Sequence, residues 1–93
     1  MANFKLGIIG GGQLGRMTVQ AASDYGISCH IFSPDAENSP AGQVCNAFTT
    51  AEYADKKALR YFYDKVDAVV CEFENVPLTA LEMAPGRIPV SPE

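Results

Sequence analysis

Three consecutive glycines, Gly10, Gly11 and Gly12, stand between an apolar run and a helix-like stretch that opens at Gln13. Glycine permits φ > 0 and leaves no Cβ between the main chain and a ligand. A helix that starts there points unpaired N–H groups, and the positive end of its dipole, into the same space. The expected occupant is anionic or polar. Farther along, Glu72 and Glu74 lie two apart on an extended segment, so their side chains project to one side. A carboxylate accepts hydrogen bonds from two vicinal hydroxyls at once, which suits a ribose. A magnesium role would need further oxygen ligands, and solvated or helix-capping acids are the plain alternative. Arg16 falls in the first helical turn, where the dipole disfavours a cation by about 0.3–1 kcal/mol. A carboxylate or an anionic ligand nearby would offset this, and solvation at the surface is the alternative.

These residues need a frame. Residues 4–9 read as a continuous apolar strand, and Leu14, Met17, Thr18, Ala21, Ala22 and Tyr25 match one face of a helix over residues 13–25. Gly26 stands where a C′ glycine would stop that helix. Ile27 to Phe32 is a second strand, ended by Ser33-Pro34-Asp35, and Ser39-Pro40-Ala41-Gly42 is loop chemistry. Residues 47–50 form a short third strand. Asp55 caps a helix whose face carries Ala58, Leu59, Phe62 and Val66. Residues 68–71 are a fourth, buried strand. Pro77 opens a helix running to about Met83, and Arg87 to Val90 is a fifth strand. Strands alternating with helices, and apolar on both faces, specify an α/β fold: a Rossmann-like parallel sheet of about five strands with helices on both faces. Ligands in such sheets bind at the carboxyl ends of the strands, where strand order switches. The Gly10–Gly15 loop and the Glu72–Asn75 segment both lie at such ends, and they face each other if the first and fourth strands are neighbours.

Composition narrows the function classes. A chain of 93 residues, 47% hydrophobic and 19% charged, suits one small folded domain. Its net charge of −4 and lack of a basic block argue against duplex nucleic acid or an anionic membrane as partner. The start runs straight into the first strand, as in an untargeted cytoplasmic protein. Cys29, Cys45 and Cys71 are odd in number and far apart, which fits neither a disulfide framework nor a zinc site. Cys29 and Cys71 read as small core residues. His30 lies mid-strand without an orienting carboxylate at useful spacing, so a structural role is favoured over catalysis. Tyr61, Phe62 and Tyr63 are consecutive on a helix and divide between core and surface. The fifth strand begins a few residues before Glu93, so the sequence is expected to be the amino-terminal part of something longer.

Gly10 to Gly15 formally satisfies G-x-G-x-x-G, which alone supports only a Rossmann-like turn. Dinucleotide binding also wants an acid at the end of the second strand, and here Asp35 falls beyond Pro34. No Gly-Lys-Ser/Thr follows the glycines, which excludes a P-loop. Gly7 to Met17, Ser39-Pro40-Ala41-Gly42-Gln43-Val44 and Cys71-Glu72-Phe73-Glu74-Asn75-Val76-Pro77 together resemble the N5-carboxyaminoimidazole ribonucleotide synthetase family, ATP-grasp enzymes of bacterial and fungal purine synthesis. The three blocks share order and spacing with that family over essentially the whole chain. One departure is Phe32-Ser33-Pro34, where family members often carry an acid before the proline.

The resemblance implies a ligase that uses ATP and bicarbonate to carboxylate the 5-amino group of aminoimidazole ribonucleotide, with magnesium required and a homodimer common. It implies that residues 1–93 are the pre-ATP-grasp domain alone. The ATP and Mg2+ sites, the ATP-grasp domain and the carboxy-terminal domain would then lie outside this chain, and the piece alone would not turn over. By similarity, Gly12, Gln13 and Leu14 approach the ribonucleotide. Glu74 is the first choice for its ribose hydroxyls, with Glu72 and Arg16 as secondary choices. Their implied role is binding and orientation, and no catalytic residue is expected here. Formate-dependent glycinamide ribonucleotide transformylase is the nearest alternative; Gln13 and the Glu72–Pro77 run argue against it. A dinucleotide-binding or nucleotide-sensing Rossmann module is the alternative from another class.

Overall fold

A computed structural model describes residues 4–71 and 76–91. The elements run β1 (Lys5–Ile9), α1 (Gln13–Asp24), β2 (Ser28–Ser33), a single 3-10 turn (Ala36–Asn38), β3 (Ala47–Thr50), α2 (Lys56–Asp64), β4 (Ala68–Cys71), α3 (Leu78–Glu82) and β5 (Val90–Ser91). All neighbouring strands are parallel, in the order β3-β2-β1-β4-β5. β1 is central, and the chain switches direction across the sheet beside it, between β1 and β4.

The sheet buries both faces because its strands alternate large side chains with period two. Ile8, Cys29 and Ile31 point to one face and pack with Val19 and Ala22 of α1 and with Ala36 and Ala41. Ile9, Phe32 and Val69 point to the other, against Leu59, Phe62 and Tyr63 of α2 and Ala80 of α3. Phe62 is fully buried and meets the rings of His30, Phe32 and Tyr63 at centroid distances of 5.3, 5.4 and 5.3 Å. These lie in the range where tilted and edge-on aromatic pairs add to area burial. Helices on both faces of an all-parallel sheet agree with the α/β expectation.

Local signals place the helices. Gly26 takes φ 72°, and its N–H donates to Ser23 O, closing α1. The Asp55 carboxylate accepts from Ala58 N at 3.0 Å and caps α2. Arg87 closes the other end of α2, donating to Tyr63 O at 2.9 Å and Val66 O at 3.3 Å. A cation on the last carbonyls of a helix satisfies orphan acceptors and complements the dipole.

Two expectations need correction. The buried stripe of α1 is Gly15, Val19 and Ala22, whereas Leu14 and Met17 are 65% and 62% exposed and Tyr25 83%. The helix packs close to the sheet through small residues, so its bulkier apolar stripe faces away. The fifth strand is Val90–Ser91, later and shorter than Arg87–Val90. Pro89 has no N–H to give to a ladder; its carbonyl accepts from Val69 N, and Ile88 N turns back to Pro85 O.

Tyr63 ties the two helices of one face together, its hydroxyl donating to Ala80 O at 2.8 Å in the interior. Burial, and then the nearby Cys71 thiol, push this phenol up to about 12. The neutral phenol is therefore favoured by folding; its contribution is complete below the ordinary tyrosine value near 10 and is lost as pH rises toward 12. Tyr63→Phe should lower stability by about 1–2 kcal/mol at pH 8, since Ala80 O loses its buried donor. In urea melts by circular dichroism, the gap between the two proteins should close as pH rises from 10 to 12.

Candidate functional site

The site forms where β1 gives way to α1. Gly10 takes φ 111°, a left-handed value that favours glycine, and its N–H donates to Phe32 O at 2.9 Å, so the loop leaves β1 still fastened to β2. Gly11 is needed for a different reason. A Cβ there would lie 2.6 Å from Ser39 Oγ and 2.7 Å from Ser39 Cβ, inside contact distance. Ser39 cannot yield: it is buried, its hydroxyl donates to Ala36 O at 2.9 Å, and the same oxygen accepts from Gly42 N at 2.9 Å. Gly42 in turn leaves no room for a side chain, since a Cβ would run into the carbonyl oxygen of Ala36. Ala41 N donates to Gly11 O at 3.0 Å and completes the clasp between the two loops.

Gly12 is the N-cap of α1, with φ −76° and ψ −163° and no side chain to cap the helix. Its carbonyl accepts from Arg16 N at 3.0 Å. The N-cap residue itself therefore supplies no side-chain acceptor to the main-chain donors of the first turn. Gln13 and Leu14 are exposed and Gly12 and Arg16 half-buried in this turn. Among the described residues, the Arg16 side chain takes part in no hydrogen bond or ion pair. Gly12, Gln13, Leu14 and Arg16 thus belong to the N-cap and first turn of α1, at the carboxyl end of β1.

Glu72 and Glu74 lie outside the described residues. Their approach is fixed up to Cys71: Ile9 pairs with Cys71 in the parallel β1–β4 ladder, so Gly10 and Glu72 continue from neighbouring positions at the switch point. The condition that the first and fourth strands be neighbours is met. Asp35 lies just past β2, where its carboxylate accepts from Ser33 Oγ at 2.6 Å. That bond engages the acid locally, at the place where a dinucleotide fold would present one to a ribose.

Ser39 is what the residue reading missed. Ser39-Pro40-Ala41-Gly42 was visible as a loop, but its buried hydroxyl and its contact with Gly11 join residues 28 apart, with no local periodicity to announce them. The other reactive side chains are structural. His30 bonds Thr49 Oγ1 through Nε2 at 2.7 Å and sets its ring edge-on to Phe62. Burial, then Lys65 and Lys5, push its pKa down. Cys29 and Cys71 are buried as expected. Burial pushes the Cys29 and Cys45 thiols up, away from a thiolate role. Among the described residues no cluster of three or more His, Cys, Asp or Glu could hold a metal ion, and no helix is long and apolar enough to cross a membrane.

The family model for the ribonucleotide synthetase preATP-grasp domain matches residues 3–93. The chain belongs to that family. A curated relative, the N5-carboxyaminoimidazole ribonucleotide synthase of Brucella melitensis, is 47% identical over 77 residues, which is 83% of this chain and 21% of the relative. The crystal structure of the Thermus thermophilus N5-carboxyaminoimidazole ribonucleotide synthetase superposes with a TM-score of 0.86 at 40% identity, covering 95% of this chain and 24% of that one. An Aspergillus clavatus N5-carboxyaminoimidazole synthase, solved in complex with ADP and 5-aminoimidazole ribonucleotide, gives a TM-score of 0.80 at 33% identity over 98% of this chain and 24% of its own. This chain therefore spans about a fifth to a quarter of the length of these relatives, and corresponds to their amino-terminal domain. The relatives favour the synthetase resemblance over the transformylase and dinucleotide alternatives.

Gly11→Ala tests the clasp. Crowding a fixed, buried serine should cost about 1–3 kcal/mol. Thermal unfolding should show the loss, and hydrogen exchange should quicken at the Ala41 amide, which is bonded to Gly11 O. Ser39→Gly in the same chain should recover part of the loss by removing both crowded atoms.

Proposed function

We propose that this chain is the ribonucleotide-binding, amino-terminal domain of an ATP-dependent N5-carboxyaminoimidazole ribonucleotide synthetase. The observation that carries the reading is the β1–β4 register, which starts the glycine loop and the Glu72–Asn75 segment from adjacent strand ends at the switch point. The relatives' names and the Aspergillus complex with 5-aminoimidazole ribonucleotide support it. In the whole enzyme, ATP and bicarbonate would give carboxyphosphate and ADP, and the carboxyl group would then pass to the 5-amino group of the bound ribonucleotide with release of phosphate. This domain's part is to bind and orient the acceptor, so that reacting atoms meet without an entropic search. Main-chain donors of the first turn of α1 and the Gln13 amide would meet its polar groups, with Leu14 against it. Glu74 would accept from the ribose hydroxyls, with Glu72 and Arg16 beside it. ATP and Mg2+ would be held by the ATP-grasp domain, so this chain alone is inactive. A cytoplasmic homodimer is the expected setting of the full enzyme.

A heteronuclear NMR titration of the chain with aminoimidazole ribonucleotide checks the assignment. Shifts should concentrate at Gly12, Gln13 and Leu14, and Glu74→Gln should weaken binding about tenfold, equivalent to about 1.4 kcal/mol. NADH should leave the same resonances in place. Tight NADH binding with no response to the ribonucleotide would overturn the reading.

A further inference from the structure

At the amino ends of the strands, remote from the glycine loop, lies a second polar cavity of about 330 Å3. That volume sits at the lower end of the roughly 300–1,000 Å3 range of small-ligand sites. Lys5 and Ser28, the first residues of β1 and β2 and partners in their ladder, line it together with His30 and Asn46. Tyr61 and Lys65 line it from α2, whose carboxyl end Lys65 caps. The described lining residues include two lysines and no acid, in a chain whose net charge is −4.

Each polar group is held in a way that leaves it able to meet an anion. Lys5 meets Asp67 through its main-chain amide, at 2.9 Å, and Asp67 does not line the cavity. Among the described residues neither lysine side chain forms an ion pair. The Lys65 ammonium lies 5.1 Å from the centre of the Tyr61 ring, a contact that steadies the charge without neutralising it. His30 is fastened to Thr49 Oγ1 at 2.7 Å, and both lysine charges act on its ring. Asn46 Oδ1 accepts from the Cys29 amide at 2.8 Å, which leaves the amino group as that side chain's donor. Helix carbonyls at the end of α2 would oppose an anion, but Phe62 O accepts from Lys65 N and Tyr63 O from Arg87. We propose that this cavity is an anion site for a phosphate group, free or as a monoester, gripped by Lys5 and Lys65 with Asn46 and Ser28 as neutral donors. Charge-assisted hydrogen bonds from two ammonium groups are the contacts that would hold it.

The test follows the ring of His30, the sole histidine, by NMR in the 93-residue chain. An anion between the lysines favours the imidazolium, so inorganic phosphate should raise the His30 titration midpoint by about half a pH unit. The Ser28 and Asn46 amides should shift saturably in the millimolar range. Sodium chloride at matched ionic strength screens the lysines without filling the site, so it should give no saturable shift. Lys5→Gln and Lys65→Gln should each weaken binding about threefold, and the double variant should abolish it. Lys56→Gln makes the same charge change in the first turn of α2, beside a different cavity, and should leave binding unchanged. Circular dichroism should show all variants folded. AMP titrated in parallel separates a nucleotide's phosphate from the free ion as the source. The inference is overturned if neither anion gives saturable shifts, or if chloride reproduces them. A double variant that responds like the parent would also overturn it, as would shifts confined to Gly12 and Gln13. Those two amides report the ribonucleotide reading, so failure there and failure here are separate results.

Discussion

The pairing of β1 with β4 is the contact on which the remaining geometry depends. β1 has strands on both sides, and both come later in the chain: β2 next, and β4 only after the excursion through β3. The chain leaves outward through β2 and β3, crosses over with α2, and returns to β1's free side. Lys5 and Asp67 mark where it arrives: the Lys5 amide donates to the Asp67 carboxylate, and the Asp67 amide donates to Lys5 O at 2.7 Å. With that register set, every later residue of β4 is aligned with β1 up to Ile9 and Cys71. The two strands therefore end side by side at the switch point, and the glycine loop leaves from one of those ends. Phe62 secures this arrangement from below, since it packs against rings from β2 and from its own helix at once.

Above the sheet, the glycine loop is shaped by crowding as much as by freedom. Only Gly10 has a backbone angle that other residues avoid; Gly11 and Gly42 are small because Ser39 and Ala36 occupy the space their side chains would need. The serine hydroxyl uses both its donor and its acceptor inside the protein. A loop pinned in this way holds the first turn of α1 at a fixed angle to the strand ends. Preorganisation of that kind lowers the entropic cost of binding a polar ligand.

Much of the frame could be read from residue order. Alternating strand and helix patterns, Gly26 at a helix end, Asp55 at a helix start and the apolar 68–71 run all reported local preferences that the tertiary fold respects. The α1 face could not be read this way. Periodicity ranks stripes by hydrophobicity, whereas close packing on a sheet selects for smallness, so Gly15 and Ala22 went inward and Leu14 and Met17 outward. Arg87 shows another limit: a basic residue 24 positions from Tyr63 caps a helix it does not belong to. Gly12, Gln13, Leu14 and Arg16 are neighbours in the N-cap and first turn of α1, a grouping that residue order alone shows. The role of Ser39 is not shown that way, because its importance comes from a contact between separate loops. Glu72 and Glu74 were named from their spacing, and the strand register supplies the position from which they start.

The outer strand β5 has a bearing on how the free domain behaves in concentrated solution. A sheet edge exposes unpaired amides and carbonyls that can recruit another chain. Among the described residues that edge amounts to Val90 and Ser91, and Pro89 in front of it contributes no amide. Such an edge is a poor template for a visiting strand. The opposite edge, β3, is four residues long, with Phe48 43% exposed, and it carries the greater hazard. Charge or proline introduced along β3, rather than along β5, is therefore the more effective guard against sheet-to-sheet aggregation when the domain is handled alone.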